Sequence, residues 1–183
     1  MALKSTIFKI RLSVANITTH HYEDYNLTLA RHPSESDERM MYRLVTFALH
    51  ADPDLVFGKG VSNVEEPDLW QKSLDGQIKS WIDLGQPDEK RIRQTLGKSE
   101  TVYIYGYQLA ASQIWWEGLS HKTRTHPKLE VRQLVVAGET SLGSLVHRGM
   151  ELSCTIEDNE VLLAGMLDGE EVSLTVTVKP YFI

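Results

Sequence analysis

A mixed α+β fold, with one domain spanning residues 1–183, is what this sequence predicts, and three observations carry it. The chain has 183 residues, 42% hydrophobic and 24% charged, which is ordinary globular material for one core. Both ends alternate apolar and polar residues with period two. The middle alternates short strand patterns with helical stripes. The end segments are expected to add antiparallel strands as one accessory sheet.

The elements follow in order. Phe8, Ile10, Leu12 and Val14 alternate with Lys9, Arg11 and Ser13, which predicts a strand over 6–14 with one wet face. A second strand over 24–31 puts Leu27 and Leu29 on one face and makes an antiparallel pair with the first. Ser34 followed by Asp37 resembles a capping box. Met41, Leu44, Val45, Ala48 and Leu49 then form one stripe of a helix over 36–50, stopped by Asp52 and Pro53. Leu55 to Phe57 is a short strand. Strands over 68–72 and 77–84 flank a turn at Leu74, Asp75 and Gly76.

Pro87 suits a first helical residue, with Asp88 and Glu89 in the first turn and Gly97 as the stop. Residues 101–106 lack charge and read as a buried strand. A helix over 109–119, a strand over 128–136 and a short helix over 139–148 follow. The tail reads as strands over 151–157, 161–164 and 171–178.

Several function classes are excluded by composition. A net charge of −6 opposes indiscriminate nucleic-acid binding, though not a local basic patch. No apolar run is long enough for a transmembrane helix. The N-terminal stretch alternates and lacks the apolar core of a signal peptide. Cys154 is the only cysteine, which fits a reducing, cytoplasmic compartment. It alternates with Leu152 and Ile156 and reads as an inert buried thiol. There is no nucleophile elbow, P-loop or dinucleotide fingerprint. His20–His21 and the His121, His126 pair lack zinc-site partners. Of Trp115 and Trp116, adjacent on a helix, one belongs to the core and the other to an interface or groove.

The chemistry concentrates between residues 66 and 93. Period two places Asp68, Trp70 and Lys72 on one strand face, and Lys79, Trp81, Asp83 and Gly85 on one face of the next. If those faces align, Asp68 and Asp83 meet across the pair. Two bare carboxylates repel, and a divalent cation such as Mg²⁺ resolves the repulsion. Polar trim on two ordinary strands accounts for the same residues. Glu38 heads the buried stripe of the 36–50 helix and is a third carboxylate, though the helix dipole alone explains a first-turn Glu. Glu35 and Arg39 form an i,i+4 pair.

Pro67–Asp68, a gap of about fifteen residues and then Asp83-x-Gly85 resemble the PD-(D/E)xK nuclease signature, and the order of elements around them is similar. More specifically, residues 29–41, Glu66 to Trp70 and Trp81 to Asp88 closely resemble the YaeQ family of small bacterial proteins. Val102 to Tyr105 and Gln113 to Trp116 fit the same family. The match spans nearly the whole chain as a single YaeQ-like domain. It implies a PD-(D/E)xK restriction-endonuclease-like core and no settled activity.

By that resemblance Glu38, Asp68 and Asp83 are the metal carboxylates. Gly85 stands where the signature has its catalytic lysine. Lys72, on the strand and face of Asp68, and Lys90, one turn into the next helix, are substitutes, and Gln86 could orient a water. The first expectation is therefore a Mg²⁺-dependent phosphodiesterase or nuclease. Asp68, Asp83, Lys72 and Lys90 would carry catalysis by a metal-activated water. The second is a non-catalytic protein that binds a nucleic acid or a protein partner, with no membrane role. Lys90, Arg91 and Arg93, and Lys122, Arg124, His126 and Lys128, could contact phosphates, but solvated helix and loop faces explain each group taken alone.

Overall fold

A computed structural model describes residues 4–59, 61 and 63–181. The first three residues of the N-terminal stretch read above lie outside them. Ten strands and four α-helices run in the order β1 (Thr6–Asn16), β2 (His21–Arg31), α1 (Asp37–Leu49), β3 (Leu55–Phe57), β4 (Leu69–Lys72), β5 (Ile78–Leu84), α2 (Glu89–Leu96), β6 (Ser99–Gly106), α3 (Leu109–Gly118), α4 (His121–Arg124), β7 (Leu129–Val136), β8 (Gly149–Glu157), β9 (Glu160–Leu167) and β10 (Glu170–Pro180).

All ten strands belong to one sheet in the order β2-β1-β8-β9-β10-β7-β6-β5-β4-β3. Among the described residues, only the β1–β8, β5–β6 and β6–β7 pairings are parallel. Strands make up 45% of the structure and helices 23%, and the sheet curls into a nearly closed, barrel-like wall. This corrects the expectation of an α+β core of the PD-(D/E)xK type with an accessory end sheet. The C-terminal strands are no appendage. They sit between β1 and β7, in the middle of the sheet.

The reason is α1. Met40 through Ala48 are all buried, so this helix is covered on every side. A flat sheet covers one side of a helix. One continuous core joins α1 to Phe8, Leu12 and Leu29 at one end of the sheet, to Leu55, Leu69 and Ile82 at the other, and to Leu152, Leu163 and Val176 between. Burial of this helix requires the end strands to complete the wall. A second, smaller core lies on the other face. There Trp81, Val102, Ile104 and Val131 pack against Ile92 and Leu96 of α2 and Trp116 of α3.

Local signals account for most boundaries. The α1 cap is Ser36, whose hydroxyl accepts the Arg39 amide at 3.1 Å, so the capping box expected at Ser34 is two residues early. Asp88 caps α2 by accepting the Arg91 amide at 2.7 Å, leaving Pro87 just outside the helix. Gly97 ends it as expected. The 139–148 helix shrinks to a 3₁₀ turn over Leu142–Leu145. The four-residue α4 had no sequence expectation. Asp168 and Gly169 form a two-residue hairpin turn with φ of 51° and 84°. Cys154 is buried as expected, and burial pushes its thiol up to about 12.

Candidate functional site

The site grows from the β4–β5 pair. Leu69 faces Ile82 and Trp70 faces Trp81, so one step further along the register sets Asp68 opposite Asp83. The face arithmetic holds here. Trp70 and Trp81 meet edge to face at 5.9 Å, and both aspartates line one open cleft of about 270 Å³. Arg39, Arg91, Gln86 and Glu66 line the same cleft.

Each aspartate is held by its own arginine. From α1, Arg39 Nη2 donates to Asp68 Oδ2 at 2.9 Å and lies 2.8 Å from Oδ1 as an ion pair. The Leu84 backbone N–H donates to Asp68 Oδ2 at 2.8 Å. From α2, Arg91 grips Asp83 bidentately, Nε to Oδ2 at 3.0 Å and Nη2 to Oδ1 at 2.9 Å. The Trp81 indole N–H donates to Asp83 Oδ2 at 3.0 Å. Arg91 also donates to the Glu66 and Val64 carbonyls, tying α2 to the loop before β4.

Behind this pair lies a buried relay. Arg39 Nη1 donates to Glu35 Oε1 at 2.8 Å, and Arg43 Nη2 donates to Glu35 Oε2 at 2.5 Å. The Glu35 side chain is fully buried and that of Arg43 is 1% exposed. Three carboxylates and three guanidiniums therefore neutralise one another. Burial raises the Asp68 pKa, against the downward pull of Arg39 and the Leu84 amide, and the neighbouring Asp83 charge adds to the rise. Burial works against charge on Arg39, but Asp68 and Glu35 outweigh it and its pKa rises. The hydrogen bond to Asp83 raises that of Arg91.

Glu38 stands apart from this network. Its Oε2 accepts from the Ser141 hydroxyl and from the Gly143 amide at 2.7 Å, where it anchors the 3₁₀ turn to α1. Among the described residues no group of three or more His, Cys, Asp or Glu side chains is placed to hold a metal. Lys72 and Lys90 do not line the cleft. The Lys72 ammonium sits 3.5 Å from the Trp70 ring centroid, and Lys90 is exposed on α2. Gln86 does line the cleft, with its amide donating to Ser112 Oγ at 3.1 Å.

Gly85 has φ of +97°, and its N–H donates to the Tyr105 carbonyl at 2.9 Å. That backbone conformation favours glycine over lysine. The cations beside the aspartates are thus guanidiniums from two helices. Sequence reasoning read Arg39 as half of an i,i+4 pair with Glu35, and Arg91 as a phosphate contact or a solvated residue. The missed signal was the spacing Glu35, Arg39, Arg43, which puts an arginine into the most apolar stretch of α1.

The YaeQ protein family model matches residues 1–176. The chain belongs to the YaeQ family. The YaeQ proteins of Salmonella typhi and Escherichia coli (strain K12) are each 37% identical over 180 residues, covering 98% of this chain and 99% of theirs. The crystal structure of YaeQ from Xanthomonas axonopodis pv. citri aligns with a TM-score of 0.83 at 39% identity, over 95% of this chain and 97% of that one. YaeQ from Pseudomonas syringae gives a TM-score of 0.85 at 27% identity, over 98% of this chain and 97% of that one. The ten-stranded architecture is therefore that of solved YaeQ proteins along nearly their whole length. No helix among the described residues is long and apolar enough to cross a membrane.

Proposed function

We propose that this YaeQ protein is a non-catalytic binding protein of the bacterial cytoplasm. Its partner is a nucleic acid or a protein, and the Arg39–Asp68 and Asp83–Arg91 cleft is one of its recognition points. The observation that carries the reading is the state of the two aspartates. Asp68 Oδ2 and both carboxylate oxygens of Asp83 already accept from protein donors, and Asp68 Oδ1 is ion-paired with Arg39. Mg²⁺ demands oxygen ligands in near-octahedral array and dehydrates reluctantly, so it would have to displace two charge-assisted guanidinium contacts. The donor set does not fit that ion. Glu38, the third carboxylate expected from the sequence, is committed to the 3₁₀ turn. Among the described residues no lysine lines the cleft to stabilise a developing phosphorane charge. What remains is a cleft with fixed, alternating charge, which suits recognition and lacks a means of cutting.

The test pairs calorimetric titration of Mg²⁺ and Mn²⁺ with incubation of end-labelled single- and double-stranded DNA and RNA. Wild type and Asp83→Ala are run in parallel. The reading expects binding of a labelled strand with no cleavage by either protein, and no metal-binding heat that depends on Asp83. Metal-dependent cleavage by wild type that Asp83→Ala abolishes would restore the hydrolase reading.

A further inference from the structure

We infer that the surface around the C-terminal end of α2 and α4 docks the phosphate backbone of a nucleic acid. This rests on the non-catalytic reading for its outcome, binding without cleavage, and names the partner that reading leaves open. It begins with charge. Seven of the 19 Lys and Arg residues fall in two nine-residue stretches, 90–98 and 120–128, that contain no Asp or Glu. The rest of the chain carries twelve against 25 acidic residues.

Folding joins the two stretches. Helix α2 packs against α4, and a cavity of about 370 Å³ is lined by Arg93, Lys122 and His126 with Leu96, Gly97 and Thr123. The lining holds no carboxylate. Lys128 joins the rim by donating to the Leu96 and Ser99 carbonyls at 3.5 and 3.1 Å.

These cations are largely unneutralised. Arg91 pairs with Asp83 and Arg93 with Glu89. Among the described residues no carboxylate lies within ion-pair reach of Lys90, Lys98, Lys122, Arg124 or Lys128. The Arg124 Nε is buried without a hydrogen-bond partner. Lys98 and Arg124 each lie 5.9 Å from a ring centroid, of Trp81 and Trp116, contacts that hold a cation without cancelling its charge. His126 Nδ1 accepts the Lys128 amide at 3.3 Å, so its proton is on Nε2, which remains a donor. The carboxylate beside the cavity is Glu89. It is occupied by the Ser120 and Thr123 hydroxyls and by Arg93, which hold its pKa down to about 2.

Exposed ammonium and guanidinium groups strung along two adjoining segments suit a repeating row of phosphates, whose binding is driven by counterion release. A folded protein partner needs a larger apolar centre than one leucine provides. None of the residues lining this cavity lines the aspartate cleft.

The experiment measures anisotropy of a labelled single-stranded DNA or RNA of about 20 nucleotides across a salt series. Wild type is compared with Lys98→Glu/Lys122→Glu and with Lys9→Glu/Lys179→Glu, which makes the same change in net charge elsewhere on the sheet. Circular dichroism checks that all three fold. The first double variant is expected to bind about tenfold more weakly at low salt, with the log–log salt slope shallower by about 1.4, roughly 0.7 for each lost contact. The control is expected to stay close to wild type. Equal weakening by both doubles, no binding by wild type, or competition by poly-glutamate as strong as by the oligonucleotide overturns the inference. Metal-dependent cleavage lost in Asp83→Ala would instead sink the non-catalytic reading, whatever charge reversal does.

Discussion

Arg39 shows how much one side chain can hold. It is 16% exposed, and it bridges Glu35, which is fully buried, to Asp68, which is nearly so. Arg39→Met would leave Glu35 with Arg43 alone and Asp68 without a counter-charge, held by the Leu84 amide. Removing one partner from a buried pair costs about 3–5 kcal/mol, and urea unfolding of the variant should show a loss in that range. A loss under about 1 kcal/mol would mean that water reaches the pair and screens it. His50 supports a second prediction at this scale. Burial, reinforced by Arg132, lowers its pKa to about 4, while Nε2 pairs with the Tyr105 hydroxyl at 2.7 Å. Between its unfolded value of 6.5 and about 4, the unfolded chain binds the proton and the folded one resists it. Stability therefore falls as pH drops through that window, by roughly 3 kcal/mol from this group. Melting temperature against pH should be visibly flatter between 6.5 and 4 in His50→Gln than in wild type.

Among the elements, the β5–α2 junction explains the missing lysine. Asp83 is the penultimate residue of β5, and after Leu84 the chain must turn towards α2, which it does through Gly85 at φ +97°. Any other side chain there is strained. Gly85→Lys is expected to lose about 1–2 kcal/mol by thermal unfolding and to gain no cleavage of labelled DNA. Cleavage appearing in that variant would show that the aspartates need only an ammonium. The Glu38 contact works at the same scale. Glu38 joins α1 to the 3₁₀ turn through Gly143, whose amide it accepts. Its position in the buried stripe was legible in the sequence. Its partner was not, because Ser141 and Gly143 lie more than a hundred residues away in the chain.

For the whole molecule, the sheet order leads to a folding prediction. Strand β10 separates β9 from β7, and one core runs from β1 through α1 to β5. Unfolding should therefore be a single cooperative transition, with calorimetric and van't Hoff enthalpies in agreement. A fragment ending at residue 147 should fail to fold, because α1 would lose the wall formed by β8, β9 and β10. A well-dispersed amide spectrum from that fragment would show instead that the C-terminal strands are an appendage, as the sequence first suggested.

The sequence by itself determined most of the elements, because helical stripes, period-two strands, Asp88, Gly97 and the Asp168–Gly169 turn are local signals, while α4 and the 3₁₀ form of the Leu142–Leu145 turn were not legible in it. It also raised the meeting of Asp68 and Asp83 across neighbouring strands, on the condition that their faces align, which the β4–β5 register meets. Tertiary structure alone decided that ten strands form one curled sheet, because strand order depends on covering a helix buried on all sides. It also decided the chemistry of the aspartates. Arg39 and Arg91 arrive from two different helices, and a guanidinium's reach across a cleft leaves no pattern in the spacing of residues.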